Sequence, residues 1–420
     1  MENKSALVLG YGCSGKAAEK LLSANGFSVC VWDEKNEAYP NPDNLNAFSF
    51  AVLSPGISLE SEMVKSCRAS SLELIGELSL AARYWKGRTV AITGSKGKSS
   101  VVKLIADTLS RSGKNAVACG NYGVPFSDVA FCKHSPNDIA VVEVSTFQME
   151  SVDGEFFKPD FAALINLQED HIDRHGTLAD YHALKLKMLK ISQSSIVAQG
   201  CMASLSDGRN VLVEDLMPNV EVANQVEKHI IEGSYFDNGI LHKNLSCAVA
   251  LMRKLSLSDD EIKAGLDNFI PLPHRMCKIC QSNGVEYFDD SKATSLSALA
   301  AAIEMTPENI PVRLIAGGLA KGDDPKKLVS LLAKRVKKVY LIGKCAKDFF
   351  DTWKDYVPCE IYGIMECAVD AVMHEASAGE RVLLSPGTAS FDQFKSYGER
   401  GDVFANLVRS RLDGTLLNTK

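Results

Sequence analysis

The 420-residue chain lacks any apolar run approaching the roughly eighteen residues of a membrane span, so no transmembrane helix is expected. It also lacks a basic excess. Lys and Arg number 46 against 52 Asp and Glu, a net charge of −6, which gives nucleic-acid binding no electrostatic footing. Small anions remain possible ligands, because glycine loops bind them locally whatever the total charge. The start, Met1-Glu-Asn-Lys-Ser-Ala-Leu-Val-Leu-Gly10, has neither the basic leader nor the long apolar core of a secretory signal. Cysteine is plentiful at twelve, but paired spacing is missing. Cys277-Lys-Ile-Cys280 has no partner pair, since the next cysteine downstream is Cys345, and a lone CxxC carries little. The scattered cysteines read as reduced, buried thiols, and a cytoplasmic location is expected. There is no internal repeat and no low-complexity tract.

What is present points to a soluble globular protein, with 46% hydrophobic and 23% charged residues. The length exceeds one ordinary core and suggests about two or three domains. The most informative stretch is Ala91-Ile-Thr-Gly94-Ser-Lys-Gly97-Lys98-Ser99-Ser100. An apolar strand ends in a glycine turn, and a helical pattern from Val101 to Leu109 follows at once. Backbone N–H groups and a helix N-terminus attract a phosphate, a lysine neutralises it, and a hydroxyl can hold Mg²⁺. The spacing departs from GxxxxGK[ST]: counting back from Gly97, the expected first glycine falls on Ile92, and the available one is Gly94.

The first segment opens as a βαβ unit. Ala6–Leu9 precedes Gly10-Tyr-Gly12-Cys-Ser14-Gly15, a helix through Lys16–Leu22, and a second strand ending at Asp33. The turn offers N–H groups to a pyrophosphate and Asp33 offers acceptors to a sugar or base; by its text alone the pattern also fits NAD. Phe50–Leu53 leads to Ser54-Pro-Gly56, a helical stretch covers Ile75–Tyr84, and Lys86-Gly-Arg88 marks a first boundary. Strands Ile139–Val142 and Phe161–Ile165 end in Glu143-Val-Ser145 and Asn166-Leu-Gln-Glu169-Asp170-His171, where ligands of parallel sheets lie. Residues 196–240 read as irregular. Ile270-Pro-Leu-Pro273 marks a second boundary. Beyond it Arg275, Lys292 and Lys321 follow strand ends among Ser291, Thr294, Gly317, Gly318 and Ser390, a set suited to an anionic carboxylate.

Each feature also has a plain reading. Glu169–Asp173 can be a solvated acidic turn. Lys185 and Lys187 flank the stripe of Tyr181, Leu184 and Met188 on one helix, where most lysines only snorkel, and periodicity singles out neither. Glu143 and His171 follow strands and could converge on Mg²⁺, although histidine is an unusual ligand for it.

Taken in order, these motifs closely resemble the Mur ligase family over essentially the full length. The resemblance rests on Thr93-Gly-Ser-Lys-Gly-Lys-Ser-Ser100, Gly120-Asn121-Tyr-Gly123, Glu143-Val-Ser-Thr-Phe-Gln148 and Glu169-Asp-His-Ile-Asp-Arg174. Pro273-His-Arg275, Asp290-Ser-Lys-Ala-Thr294 and Ser385-Pro-Gly-Thr-Ala-Ser-Phe-Asp-Gln-Phe394 complete it. The last two favour the member that adds D-glutamate.

The resemblance implies an α/β fold of three domains: a Rossmann-like UDP-substrate domain (1–86), a central parallel-sheet ATP and Mg²⁺ domain of P-loop type (87–270), and a Rossmann-like D-glutamate domain (271–420). It implies an ATP-dependent amide ligase acting on UDP-N-acetylmuramoyl-L-alanine through an acyl phosphate, in peptidoglycan precursor synthesis. A monomer serving small-molecule substrates, with neither nucleic acid nor membrane as partner, is expected. By resemblance Gly94, Ser95, Lys96, Gly97, Lys98, Ser99, Ser100, Asn244, Arg275 and Asp290 serve ATP. Gly12, Ser14, Gly15, Asp33, Ser54, Gly56 and Asn121 serve the UDP-substrate, and Thr294, Lys321, Ser390, Phe391 and Tyr397 surround D-glutamate. Ser99, Glu143, His171 and Lys185, the last as a carbamate, attend up to two Mg²⁺ ions; Lys98, His171 and Lys185 carry the catalysis. Tyr397 stands where the family often has phenylalanine, Leu241–Cys247 keeps the family's adenine-side motif poorly, and Glu34-Lys35 differs from common variants.

Overall fold

Short apolar runs, each ended by a glycine or polar residue, become the strands of three main sheets in a computed structural model. It describes residues 4–417 except 171, 233, 237 and 238, and 321. By internal contacts the chain divides into two units, one of residues 1–237 with 241–269, the other of 238–240 with 270–420.

The first unit carries two of the sheets. Strands β1 (Ser5–Leu9), β2 (Ser28–Trp32), β3 (Phe50–Leu53) and β4 (Leu74–Gly76) make a parallel sheet in the order β2-β1-β3-β4. Helices α1 (Cys13–Ala24), α2 (Glu62–Ala69) and α3 (Glu77–Tyr84) connect or follow them. The expected helix Ile75–Tyr84 is thus shorter: Ile75 and Gly76 pair with Val52 and Leu53, and the helix begins only at Glu77. A three-residue strand carries too little periodicity to be told from a helical turn.

The second sheet holds β5 (Arg88–Thr93), β6 (Ala116–Gly120), β7 (Ile139–Glu143), β8 (Phe161–Leu164), β9 (Ser194–Ala198) and, after a hairpin of β10 (Met202–Ser204) and β11 (Asn210–Leu212), β12 (Glu221–Ala223). Its order is β12-β9-β8-β5-β7-β6, all parallel. The stretch 196–240, read as irregular, therefore contains two strands of this sheet and the hairpin; their three- to five-residue lengths hide the period. Strands β5, β7 and β8 are nearly continuous apolar runs because both faces are covered, and Val90–Ile92, Ile139–Val142 and Ala162–Leu164 are fully buried. Helices α4 (Lys98–Arg111), α5 (Phe126–Phe131), α6 (Thr146–Met149), α7 (Ile172–His175) and α8 (Leu178–Ile191) surround it.

The second unit builds its own sheet from β13 (Cys277–Ser282), β14 (Val285–Asp289), β15 (Val312–Gly317), β16 (Val336–Ile342), β17 (Cys359–Gly363) and β18 (Arg381–Leu384). The order is β13-β14-β18-β15-β16-β17, parallel except for the edge pair β13–β14. All twelve cysteines are free thiols. Cys67, Cys119, Cys201, Cys247 and Cys345 are buried as expected, whereas Cys13, Cys132 and Cys367 are exposed, each lying on or beside a helix face that meets solvent. Among the described residues no helix is long and apolar enough to cross a membrane.

In each sheet the loops that carry the sequence motifs leave strands that have neighbours on both sides. β1 lies between β2 and β3, and β5 between β7 and β8. The connections there run to opposite sides, which opens a crevice at the carboxyl ends of the strands.

Candidate functional site

The glycine loop Gly94–Gly97 leaves β5 and enters α4 directly. Gly97 caps the helix at φ +81°, a left-handed conformation that other residues avoid, and a Cβ there would strike the Asn244 amide. No side chain caps α4. Its first turn lies at the positive end of a fourteen-residue helix, the setting that attracts an anion.

The loop is braced from below by asparagines. Asn166 Oδ1 accepts from the Ser95 and Lys96 N–H groups, both at 2.9 Å, while its Nδ2 donates to Lys96 O and to Asn244 Oδ1, both at 2.7 Å. Asn244, expected beside adenine, is thus placed as a buttress of the glycine loop. Ser95 Oγ donates to Gln168 O at 2.9 Å and lies 3.1 Å from the Tyr181 hydroxyl.

Two lysines converge on one carbonyl. Lys98 Nζ and Lys185 Nζ each donate to Gly94 O at 2.8 Å, and Lys98 also reaches Ser95 O at 3.2 Å. Lys185 is 1% exposed and sits 4.6 Å from the Tyr181 ring centroid. Burial, reinforced by the neighbouring Lys98 charge, holds its ammonium well below the usual lysine range, although Asp170 and Glu143 partly oppose this. Periodicity could not separate Lys185 from Lys187. The structure does: Lys187 turns to the carbonyls of Met149 and Val152, at 3.2 and 2.9 Å, away from the loop.

Glu143 ends β7, level with Ile92 of β5. It is 2% exposed; Oε1 accepts from Asn121 Nδ2 at 2.6 Å, and among the described residues Oε2 is buried with no hydrogen-bond partner. A buried carboxylate oxygen left over is costly unless something cationic completes it. Ser99 is buried in the first turn of α4 and Ser100 is half-buried beside it. This hard oxygen donor set fits Mg²⁺. His171, the other expected ligand, lies outside the described residues. Lys96 forms an ion pair with Asp170 at 3.1 Å, at the mouth of the same loop.

The second glycine turn follows β1. A Cβ on Gly15 would collide with the Gly10 carbonyl oxygen, so the helix can approach the turn only with glycine there. Gly12 caps α1 without a side-chain bond, leaving the amides near Ser14 available. Asp33, expected to meet a sugar or base, braces the turn itself: Oδ2 accepts from Tyr11 N at 2.7 Å and Oδ1 from Lys35 N at 2.9 Å. These backbone donors hold its carboxyl below the usual range. Ser54 Oγ donates to Gly10 O at 2.8 Å, and Gly56 is exposed two residues on. An aromatic pair that sequence reading missed, Tyr11 and Tyr39 with centroids 4.6 Å apart, lies beside Asp33.

The two sheets of this unit are joined by polar ties that no motif announces. Glu77, buried at the start of α3, accepts from Ser127 N at 2.6 Å near the start of α5, and burial raises its carboxyl. Gly76 N donates to Ser151 O at 2.8 Å. Asn121, on the loop before α5, also donates its main-chain N–H to Glu143 O at 3.0 Å.

In the second unit the expected residues gather where β14, β15 and β18 end. Asp290 is buried, accepting from Ser385 Oγ at 2.9 Å and Met276 N at 3.2 Å, and burial pushes it up to about 7. Lys292 Nζ stands 4.0 Å from the Tyr397 ring centroid, and Ser291 Oγ donates to Tyr397 O at 2.8 Å. Ser390 is buried while Phe391, its neighbour, is 71% exposed. Beneath them lies Arg400, which sequence reading passed over. It is fully buried and donates to Ser291 O at 2.8 Å and Thr388 O at 3.1 Å, fixing the loop that bears Ser390. Arg275 and Thr294 are half-buried on the segments flanking Asp290. Lys321 lies outside the described residues.

Residues 92–201 match the Mur ligase middle domain. Over its length the chain is similar to the UDP-N-acetylmuramoylalanine--D-glutamate ligase of Aquifex aeolicus, at 33% identity over 410 residues, covering 96% of this chain and 98% of that one. The enzyme of the same name from Koribacter versatilis is 30% identical over 469 residues, covering 97% and 98%. Among solved structures, the MurF ligase of Thermotoga maritima, determined with ADP, superposes with a TM-score of 0.62 at 14% identity, covering 99% of this chain and 96% of that one. MurC from the same organism gives 0.60 at 13%, covering 98% and 99%. The glycine loop, the buried acid at the end of β7 and the full-length match lead to one conclusion: the chain belongs to the Mur ligase family, among the UDP-N-acetylmuramoylalanine--D-glutamate ligases.

Proposed function

We propose that this protein joins D-glutamate to UDP-N-acetylmuramoyl-L-alanine at the expense of ATP, as an amide-forming ligase of peptidoglycan precursor synthesis. The full-length match to ligases of that name carries the reading. In this reading the chain has three functional domains, 1–86, 87–270 and 271–420, one for each substrate; the presence of three main sheets supports it. The two glycine turns, Gly10–Gly15 and Gly94–Gly97, supply one anion cradle for the UDP-substrate and another for the ATP phosphates.

The chemistry follows from leaving groups. A carboxylate cannot expel oxide, so an oxygen of the L-alanyl carboxylate first attacks the γ-phosphorus and the bond to ADP breaks. The D-glutamate amine then attacks the acyl carbon, phosphate leaves, and the nitrogen loses a proton. No protein nucleophile is needed; positioning and charge neutralisation do the work.

In this reading Lys98 moves its donors from the Gly94 and Ser95 carbonyls toward the β- and γ-phosphates. Ser99, Glu143 and His171 would hold Mg²⁺, whose contribution when bound is charge neutralisation at the phosphate oxygens. Asn121 keeps Glu143 Oε2 turned away from its own amide and available. Ser390 and its neighbours take the D-glutamate carboxylates, with Thr294, Lys321, Phe391 and Tyr397; Arg275 and Asp290 serve the nucleotide.

Lys185 has a distinct part. An ammonium buried against a carbonyl and next to Lys98 is poorly placed for a cation and well placed for a neutral amine. Addition of CO₂ to that amine, with loss of a proton, would turn it into an anion able to support a second Mg²⁺. Crystals grown with bicarbonate are expected to show carbamate density on Lys185; a bare amine there counts against this role.

The activity test is phosphate release with UDP-N-acetylmuramoyl-L-alanine, ATP, Mg²⁺ and one amino acid at a time. Release is expected with D-glutamate and at background with L-lysine or meso-diaminopimelate. The reverse pattern overturns the assignment.

A further inference from the structure

Arg174 closes the motif Glu169–Arg174 and has no role in the reading above. On α7, three residues past His171, it reaches in two directions. Its Nε donates to Glu150 Oε1 at 3.1 Å and its Nη2 to Glu150 Oε2 at 2.6 Å, a two-pronged ion pair just beyond α6. The same Nη2 donates to the carbonyl of Ile57 at 3.0 Å, in the loop that follows β3 of the first sheet. The guanidinium lies 5.3 Å from the Phe147 ring centroid. The side chains of Arg174 and Glu150 are 23% and 12% exposed, so solvent competes little for these bonds. His175 completes the cluster from the buried side, with Nε2 2.9 Å from Thr146 Oγ1 and Nδ1 3.3 Å from Glu150 Oε1.

Both ends of this junction lead to cradles. Beyond Ile57, its N–H donates to Ser54 O at 3.0 Å, and Ser54 Oγ donates to Gly10 O at 2.8 Å. The Ile57 side chain also covers Gly10 so closely that a Cβ on that glycine would lie 2.9 Å from it. An unbroken path of short contacts therefore runs from the glycine turn after β1, through Ser54 and Ile57, to Arg174. On the other side Glu150 and Thr146 belong to the segment that begins at Glu143. Arg174 thus fastens the 54–57 loop to both central segments that carry the candidate metal ligands. Only arginine has the planar fork for this: one edge meets the carboxylate in two places while a hydrogen is left for the carbonyl.

We propose that Arg174 is a positioning residue that sets the UDP-substrate loop relative to the phosphate-transfer site. Resting on the ligase reading above, the proposal makes Arg174 responsible for holding the L-alanyl carboxylate at attack distance from ATP. Misplacement of reacting groups by about 1 Å is enough to cost orders of magnitude in rate.

The test compares wild type with Arg174→Ala, Arg174→Lys and Glu150→Gln. Equilibrium binding of UDP-N-acetylmuramoyl-L-alanine without ATP or Mg²⁺ is measured beside steady-state kinetics and thermal unfolding. Arg174→Ala is expected to weaken UDP-substrate binding and raise its KM by about tenfold, the scale of one lost charged hydrogen bond. Its kcat is expected to fall further, while the KM for ATP stays within about twofold. Lysine, with one ammonium in place of the fork, recovers part of the loss, and Glu150→Gln moves the same parameters less. Unchanged UDP-substrate affinity in Arg174→Ala overturns the proposal, as does a fall in Tm with every KM preserved. Should wild type bind the UDP-substrate but ignore D-glutamate, the ligase reading fails, and the binding shift still decides the role of Arg174.

Discussion

Replacing Lys98 with alanine is expected to lower turnover by about three orders of magnitude or more, while the affinity for UDP-N-acetylmuramoyl-L-alanine stays within about twofold. The asymmetry comes from the architecture. Lys98 opens α4 in the second sheet's layer and donates to the carbonyls of Gly94 and Ser95. The glycine turn at Gly10–Gly15 belongs to a different sheet and is braced by Asp33 and Ser54. Neither of the two carbonyl bonds touches that turn. In the folded protein the ammonium rests on backbone carbonyls, which are weak partners for a full charge. A phosphate is a stronger one, so the side chain is expected to leave these carbonyls for the nucleotide when it binds. Kinetics for all three substrates and calorimetric titration with the UDP-substrate check the prediction. Loss of UDP-substrate binding in a folded Lys98→Ala protein contradicts the division of labour between the two turns.

Replacing Glu143 with alanine is expected to cost kcat by about two to three orders of magnitude and to abolish the stabilisation that Mg²⁺ with nucleotide confers. The apo protein should nevertheless unfold at a temperature no lower than wild type. Ordinarily, removing a buried hydrogen-bonded acid destabilises a fold. Here only Oε1 has a partner among the described residues, so the lost bond to Asn121 is offset by removal of the orphaned Oε2. Thermal unfolding with and without Mg²⁺ and a non-hydrolysable nucleotide separates the two effects. A large drop in Tm for metal-free Glu143→Ala would mean that the acid is structural rather than held ready for a cation.

These two side chains also show what a sequence can and cannot convey. Lys98 was legible because a strand, a glycine loop and a helix start are all local patterns, and together they leave little alternative to a phosphate cradle. The short loop spacing, with Gly94 in place of a glycine at position 92, departs from the general pattern, and the resemblance implies that the departure is the family's own variant. Glu143 was legible only as an acid at a strand end. Its value lies in a missing partner, and a missing partner cannot be read from residue order.

Lys185 marks the boundary most sharply. Like Lys187, it flanks the apolar stripe of Tyr181, Leu184 and Met188; periodicity singles out neither, and both resemble surface lysines. The structure buries Lys185 against Gly94 O and sends Lys187 to the carbonyls of Met149 and Val152. Arg174, quoted only as the end of a motif and given no role, and Arg400 and Glu77, which were passed over, share a similar reason. Their partners lie far along the chain, at Ile57, Ser291 and Ser127. The short strands between 196 and 223 escaped because three to five residues cannot establish a period of two.

By itself the sequence determined the α/β class, the two glycine turns and the family, because each depends on short-range signals: apolar runs, glycines where a Cβ is forbidden, and helix starts. Only the tertiary structure decided which lysine is buried, which carboxylate oxygen is left open, and how the loop at Ile57 is tied to Arg174. Those outcomes are set by burial and by hydrogen bonds between distant residues, and neither exists until the sheets have packed.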